Sequence, residues 1–251
     1  MKTVVLTGAS GRFGQLFLKE FLSDGMEVIA LTRQESSKEK LDKLFRSYVE
    51  SGHLYSFACD FSNDNYLEKL QNFIDSNKLN PTALINNARS ISSLKLNDNG
   101  LISTSDFQLE FTLGVIVPYQ ITMALALDQK LNSVVNISSM YGVVAQNSTL
   151  YDNPKEQMTL QYGTVKAAQI HMTKELAVKL APEGIRVNCV SYGGLEGRVD
   201  QNFKDRYAKL CPAGKMLSEK DIPGPVSFLI SDSASAITGH NLVADGGWSI
   251  W

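Results

Sequence analysis

Tyr162 and Lys166 stand four residues apart in Gln161-Tyr162-Gly163-Thr164-Val165-Lys166. On a helix, that spacing places a phenol and an ammonium on one face. An adjacent ammonium favours phenolate over phenol, so such a tyrosine can exchange a proton with a substrate oxygen near neutral pH. By itself the spacing is a weak signal. It gains meaning only from elements that hold the pair against a substrate.

Those elements are legible as an alternation. Short apolar runs at Thr3–Thr7, Glu27–Leu31, Leu54–Ala58, Ala83–Asn86, Ser133–Ser138, Ile185–Val190 and Asn241–Ala244 read as strands, several of them continuous Val, Ile and Leu. Helical segments are expected at Arg12–Ser23, Lys38–Glu50, Asn65–Asn77, Thr104–Leu127, Leu160–Leu180 and Glu219–Ser231. Strands alternating with helices predict βαβ crossovers and a parallel sheet. With no linker-like stretch and no internal repeat, residues 1–251 read as one α/β domain. Two long segments, 143–159 and 193–212, leave the carboxyl ends of expected strands, where open α/β sheets bind ligands, and are read as substrate loops.

The balance of 24 basic and 26 acidic residues, with no basic run, gives no sign of a nucleic-acid partner. The N-terminal residues read as a strand rather than a leader, and no apolar run is expected to approach the ~18 residues of a membrane span. Cys59, Cys189 and Cys211 are widely spaced, as expected of reduced thiols in a cytoplasmic protein, and the three histidines form no metal-ligand spacing.

Thr7-Gly8-Ala9-Ser10-Gly11-Arg12-Phe13-Gly14 joins the first strand to the first helix. Gly8 permits a tight turn, Gly11 a close approach to a pyrophosphate, and Gly14 close helix–strand packing, with the helix N-terminus facing the phosphates. Ser10, Arg12 and Phe13 lie in the same turn and are candidate cofactor contacts. After the second strand the chain reads Leu31-Thr32-Arg33-Gln34, without the carboxylate that would hold a ribose 2′-hydroxyl. Arg33, helped by Ser10, Thr32 or Arg12, is therefore expected to accept a 2′-phosphate, favouring NADP(H) over NAD(H).

Five further motifs join the glycine turn and the Tyr162/Lys166 pair. They are Cys59-Asp60, Asn86-Asn87-Ala88, Val135-Asn136-Ile137-Ser138-Ser139, Arg186-Val187-Asn188 and Asp245-Gly246-Gly247. In this order the chain resembles the short-chain dehydrogenase/reductase family over nearly its whole length. The resemblance implies a Rossmann-type, doubly wound parallel sheet of about seven strands with helices on both faces. It implies hydride transfer between a nicotinamide and a carbinol or carbonyl carbon, with Tyr162 as general acid/base. Lys166 would support Tyr162 and hold the nicotinamide ribose, Ser139 would bond the substrate oxygen, and Ser138 would stay with its strand. Asp60, Phe61, Asn87, Ala88 and Gly193 would contact the cofactor. Family members pair through long helices, so a homodimer or homotetramer is expected through Thr104–Leu127 and Leu160–Leu180, with a further contact near Trp248 and Trp251.

The chain also departs from the family pattern. Arg12 stands at a usual glycine, Arg89 follows Asn-Asn-Ala in place of glycine, and Gly114 stands where the family has an asparagine, which makes a local kink possible in that helix. Tyr192 replaces the proline of Pro-Gly, and Gly197 a common threonine. Arg89 either contacts an anionic substrate or points to solvent. Tyr151 and Tyr192 are further substrate candidates. The segment Tyr141–Thr159 is longer than in compact members and resembles relatives from bacterial surface-glycan and flagellin-sugar pathways, suggesting a sugar, sugar phosphate or nucleotide-sugar. Arg89, Arg198, Lys204 and Arg206 could take a phosphate, or the last three could belong to a charged helix over Asp200–Leu210. Two other readings fit the same residues: a non-catalytic nucleotide-binding subunit, and an epimerase or lyase that never releases its cofactor.

Overall fold

The computed structural model describes residues 2–128 and 130–251. Seven parallel strands form one sheet in the order β3-β2-β1-β4-β5-β6-β7. They are β1 (Thr3–Thr7), β2 (Glu27–Thr32), β3 (Leu54–Ala58), β4 (Ala83–Asn86), β5 (Ser133–Ser139), β6 (Arg186–Tyr192) and β7 (Asn241–Ala244). All match the expected positions, with β2, β5 and β6 running one or two residues further at their carboxyl ends. Every residue of β1, β4 and β5 is buried, which is why these strands read as continuous apolar runs rather than alternating ones.

Helices cover both faces. On one side α1 (Arg12–Ser23) and α10 (Pro223–Ile230) pack Phe17, Phe21, Val226 and Ile230 against the sheet. On the other, α4 (Tyr66–Ser76), α6 (Val117–Asp128) and α8 (Leu160–Lys179) contribute Ile74, Ile121, Leu125 and Leu176. Val5 of β1 lies between Ile29 of β2 and Leu84 of β4. Chain order therefore reverses at β1/β4, opening the crevice where such sheets bind ligands.

Three helices differ from the sequence expectation. The one expected over Lys38–Glu50 begins earlier and is broken at Phe45, giving α2 (Glu35–Leu44) and α3 (Arg46–Glu50). The C-terminal one starts as a single 3₁₀ turn at Glu219–Asp221 before α10. The long helix begins at α5 (Thr104–Phe111), capped by the Ser103 hydroxyl accepting from the Asp106 amide at 3.1 Å. It then widens into a π turn over Thr112–Ile116 before continuing as α6. Thr104–Leu127 has the length and apolar character to cross a bilayer, but here its residues Val117, Ile121 and Leu125 are buried in the core. Within the two loops lie the short α7 (Pro154–Gln157) and α9 (Gln201–Leu210), the latter over the charged segment considered above. Trp248 is buried and stacks on Tyr207 of α9 at 4.5 Å, so of the two C-terminal tryptophans only Trp251 is exposed.

Candidate active site

The glycine turn sits at the reversal point. A Cβ on Gly8 would lie 2.8 Å from Ala88 Cα, and one on Gly14 only 2.3 Å from the Gly8 carbonyl oxygen. Asn87 Nδ2 donates to the carbonyls of Thr7 and Gly8 at 3.0 and 3.2 Å, and the amides of Asn87 and Ala88 donate to Thr7 Oγ1 at 2.9 Å each. The ends of β1 and β4 are thus locked together, with Gly11 capping α1. The first amides of α1 have no partner within the helix and lie at the crevice, so the residues present fit a dinucleotide pyrophosphate. The Ser10 carbonyl accepts from Gln15 Nε2 at 2.9 Å and steadies the turn. At the other end of the crevice Arg33 Nε pairs with Asp60 Oδ2 at 3.3 Å, and Phe61 packs edge-on against Tyr66 at 5.3 Å. The Ser62 amide, then its hydroxyl and Arg33, hold the Asp60 carboxyl below its usual range.

Lys166 is buried in α8, where Nζ donates to the Ile137 carbonyl at 2.7 Å and to Gln169 Oε1 at 3.0 Å. One N–H is left over. Ser138 donates to the Lys166 carbonyl at 2.9 Å and so stays with its strand as expected. Burial first, and then Arg89, pull Lys166 down to about 8, against an opposing pull from Glu110. Two cations lie near Tyr162: Lys166 Nζ is 5.9 Å from its ring centroid and the Arg89 guanidinium 4.6 Å. Ser139 ends β5, and its Oγ accepts from the Tyr141 amide at 3.2 Å, leaving its own proton to donate. The Tyr141 ring meets Tyr162 edge-on at 6.5 Å, which links the serine turn to α8. Tyr141 and Tyr151 share a hydroxyl contact of 3.2 Å, and burial pushes both phenols up, so both stay protonated near neutral pH.

Several expected contacts are redirected. Tyr192 is not a substrate residue: it is buried, its hydroxyl donates to the Ile222 carbonyl, and its ring meets Phe13 at 5.2 Å. The Phe13 side chain is half-buried and packs against the core on this side of the sheet. Arg12 turns away from the glycine turn, donating to Glu219 Oε1 from Nη2 at 3.0 Å and to the Glu196 carbonyl from Nη1. A Cβ at Gly197 would come within 3.0 Å of that guanidinium, so the departures at Arg12 and Gly197 are coupled. Arg206 pairs with Asp152 at 2.9 Å and donates to the Leu150 carbonyl at 2.8 Å, while Tyr151 packs on Phe203 at 5.8 Å. These contacts tie the 143–159 loop to α9 and engage Arg206 within the protein. Arg89 is exposed but does not simply point to solvent, since it lies over Tyr162. Gly193 approaches Asp245 so closely that a Cβ would lie 2.8 Å from its Cα. Beneath the 143–159 loop a cavity of about 700 Å³ opens against Leu160, Gly163 and Thr164 of α8.

The residue pattern gave no warning of a buried polar cluster beside Lys166. It consists of Ser93, Glu110 and Gln161. The available signal was a lone carboxylate one helical turn before Gly114 in an apolar stretch. Gly114 itself leaves no space, because a Cβ there would lie 2.3 Å from Val165 Cγ1.

A family model described as enoyl-(acyl carrier protein) reductase matches residues 13–249. Post-translational flagellin modification protein A of Campylobacter coli is 27% identical, over 99% of this chain and 98% of that protein. A short-chain dehydrogenase from Leptospira borgpetersenii, solved with bound NAD+, superposes with a TM-score of 0.85 at 26% identity, covering 99% of this chain and 92% of the other. A 4-hydroxyisoleucine dehydrogenase complexed with NADH gives a TM-score of 0.84 at 25% identity, covering both chains fully. With the fold, the glycine turn and the ordered motifs, these matches show that the chain belongs to the short-chain dehydrogenase/reductase family, oxidoreductases that interconvert CH–OH and C=O groups.

Proposed function

We propose that this chain is an NADP(H)-dependent oxidoreductase that interconverts a secondary alcohol and a carbonyl, with Ser139, Tyr162 and Lys166 as its catalytic residues. The observation that carries the reading is the closeness of both the Arg89 guanidinium and Lys166 to the Tyr162 ring, beside the turn that fixes Ser139. A bound nicotinamide supplies the hydride in reduction and takes it in oxidation. In reduction Ser139 donates a hydrogen bond to the substrate oxygen while Tyr162 gives up its proton; in oxidation the direction reverses. The two nearby cations stabilise the charge that develops on the phenol oxygen. The remaining N–H of Lys166 is available for the nicotinamide ribose, and the α1 amides, Gly8, Gly11, Asn87, Ala88 and Gly193 line the cofactor crevice.

The preference for NADP(H) rests on Arg33, whose side chain is 66% exposed just past the carboxyl end of β2, where Leu31-Thr32-Arg33-Gln34 carries no carboxylate. A polyhydroxylated, sugar-derived substrate is favoured by the likeness to a flagellin modification protein and by the polar residues of the 143–159 loop, with Arg89 suited to an anionic group. The three cysteines are free and buried, in keeping with a cytoplasmic enzyme. Exposed apolar side chains on the long helix and on α8 support a homodimer.

The test compares wild type with Tyr162→Phe. Isothermal titration with NADP+ and NAD+ should show tighter NADP+ binding, within about twofold in both proteins. Nicotinamide absorbance in a screen of ketoses, alditols and nucleotide-sugars should show turnover reduced at least ~100-fold in the variant. Unchanged turnover rejects Tyr162 as the proton-transfer group; tighter NAD+ binding rejects the cofactor preference.

A further inference from the structure

Glu110 lies on α5, which packs against α8, and is 2% exposed. Its Oε2 accepts from Ser93 Oγ at 2.6 Å. Among the described residues it makes no direct ion pair. Burying a carboxylate in this way is costly unless other charge and hydrogen bonds compensate.

The compensation runs through a closed circuit. Ser93 is fully buried, and its carbonyl accepts from Gln161 Nε2 at 2.8 Å. Gln161 is also fully buried, its Oε1 has no hydrogen-bond partner, and it immediately precedes Tyr162. Four residues before Ser93, Arg89 lies over the Tyr162 ring. Glu110 thus anchors the turn that carries Arg89, and that turn is bonded to the residue that carries Tyr162.

The groups acting on Lys166 come from every neighbouring element: Arg89 from the loop after β4, Glu110 from α5, Cys189 from β6 and Tyr162 from α8 itself. Arg89 opposes the ammonium, while Glu110 and Cys189 favour it. Burial pushes the Cys189 thiol up to about 12, so it is uncharged near neutral pH. Glu110 is then the carboxylate left to offset two cations.

We propose that Glu110 is a positioning residue of the active site: through Ser93 and Gln161 it fixes Arg89 over Tyr162, and its negative charge balances Lys166 and Arg89. The proposal rests on the hydride-transfer reading for its importance but can be tested without substrate.

Lysine side chains labelled with ¹³C and ¹⁵N are followed by NMR through a pH titration of the ligand-free protein, with the Lys166 signal assigned from its loss in Lys166→Arg. In Glu110→Gln, which keeps the shape and removes the charge, the Lys166 midpoint should fall by about one unit or more, because an attractive partner of the ammonium is gone. A structural role alone would leave that midpoint in place, and an unchanged midpoint overturns the proposal. A second measurement needs no variant: in wild type the Glu110 carboxyl ¹³C signal should show an inflection at the Lys166 midpoint, and its absence overturns the proposal equally. Neither readout involves turnover, so failure here is distinct from failure of Tyr162→Phe.

Discussion

Lys166 sets a sign that differs from that of a salt-bridged lysine. Burial lowers it from an ordinary 10.5 to about 8. Between those values the unfolded chain binds more protons than the folded one, so this group adds stability as pH rises through the interval and adds none below it. At 1.36 kcal/mol per unit, the effect is about 3 kcal/mol. Urea unfolding of wild type and Lys166→Met at pH 7.5 and near pH 10.5 isolates it, because other titrating groups cancel in the difference. The wild type should gain about 3 kcal/mol on the variant across that range, and a constant difference would contradict a desolvated ammonium. At this scale residue type and spacing together single out Ser139, Tyr162 and Lys166 in the sequence. It misled at Tyr192, whose polar tip at a strand end resembles a site residue but is satisfied by the Ile222 carbonyl inside the core. It was silent on Glu110, since one carboxylate in a helix does not reveal which face it turns to.

The elements explain why the long helix carries glycine at its middle. At the π turn, Gly114 lets the helix approach Val165 of α8 more closely than any side chain would permit. Alanine would gain about 1 kcal/mol in helix propensity, but its Cβ would sit 2.3 Å from Val165 Cγ1, and overpacking of that kind costs about 1–3 kcal/mol. Gly114→Ala is therefore expected to destabilise the protein in urea unfolding. Val165→Ala in the same chain should recover much of the loss, giving a favourable coupling of about 1 kcal/mol or more. Purely additive effects would show that the two residues do not compete for this space. The five inner strands were legible because burial on both faces writes a continuous apolar run, whereas the edge strands β3 and β7, only partly buried, were legible from their place in the alternation. Helix interruptions were less so: the break at Phe45 and the π turn depend on tertiary packing that periodicity does not record.

For the whole molecule, assembly turns on the surface of the long helices. Phe111, Ile116 and Tyr119 on the long helix, and Leu160 and Val178 on α8, are exposed. A proposed two-fold pairing across these helices predicts a light-scattering mass of twice 27.6 kDa or a higher even multiple. Val178→Arg should shift the population toward monomer. A wild-type particle of 27.6 kDa at micromolar concentration would end the proposal. Trp248, expected from sequence to serve such a contact, instead packs on Tyr207 within its own chain.

The rim of the crevice carries three arginine–carboxylate pairs, Arg12–Glu219, Arg33–Asp60 and Arg206–Asp152, each with at least one partner more than half exposed. Pairs of this kind weaken as salt rises, whereas charges enclosed like those of Lys166 and Glu110 are screened far less. The two sets of charges thus answer to different solution variables: ionic strength acts on the outer pairs, and proton activity on the enclosed Lys166.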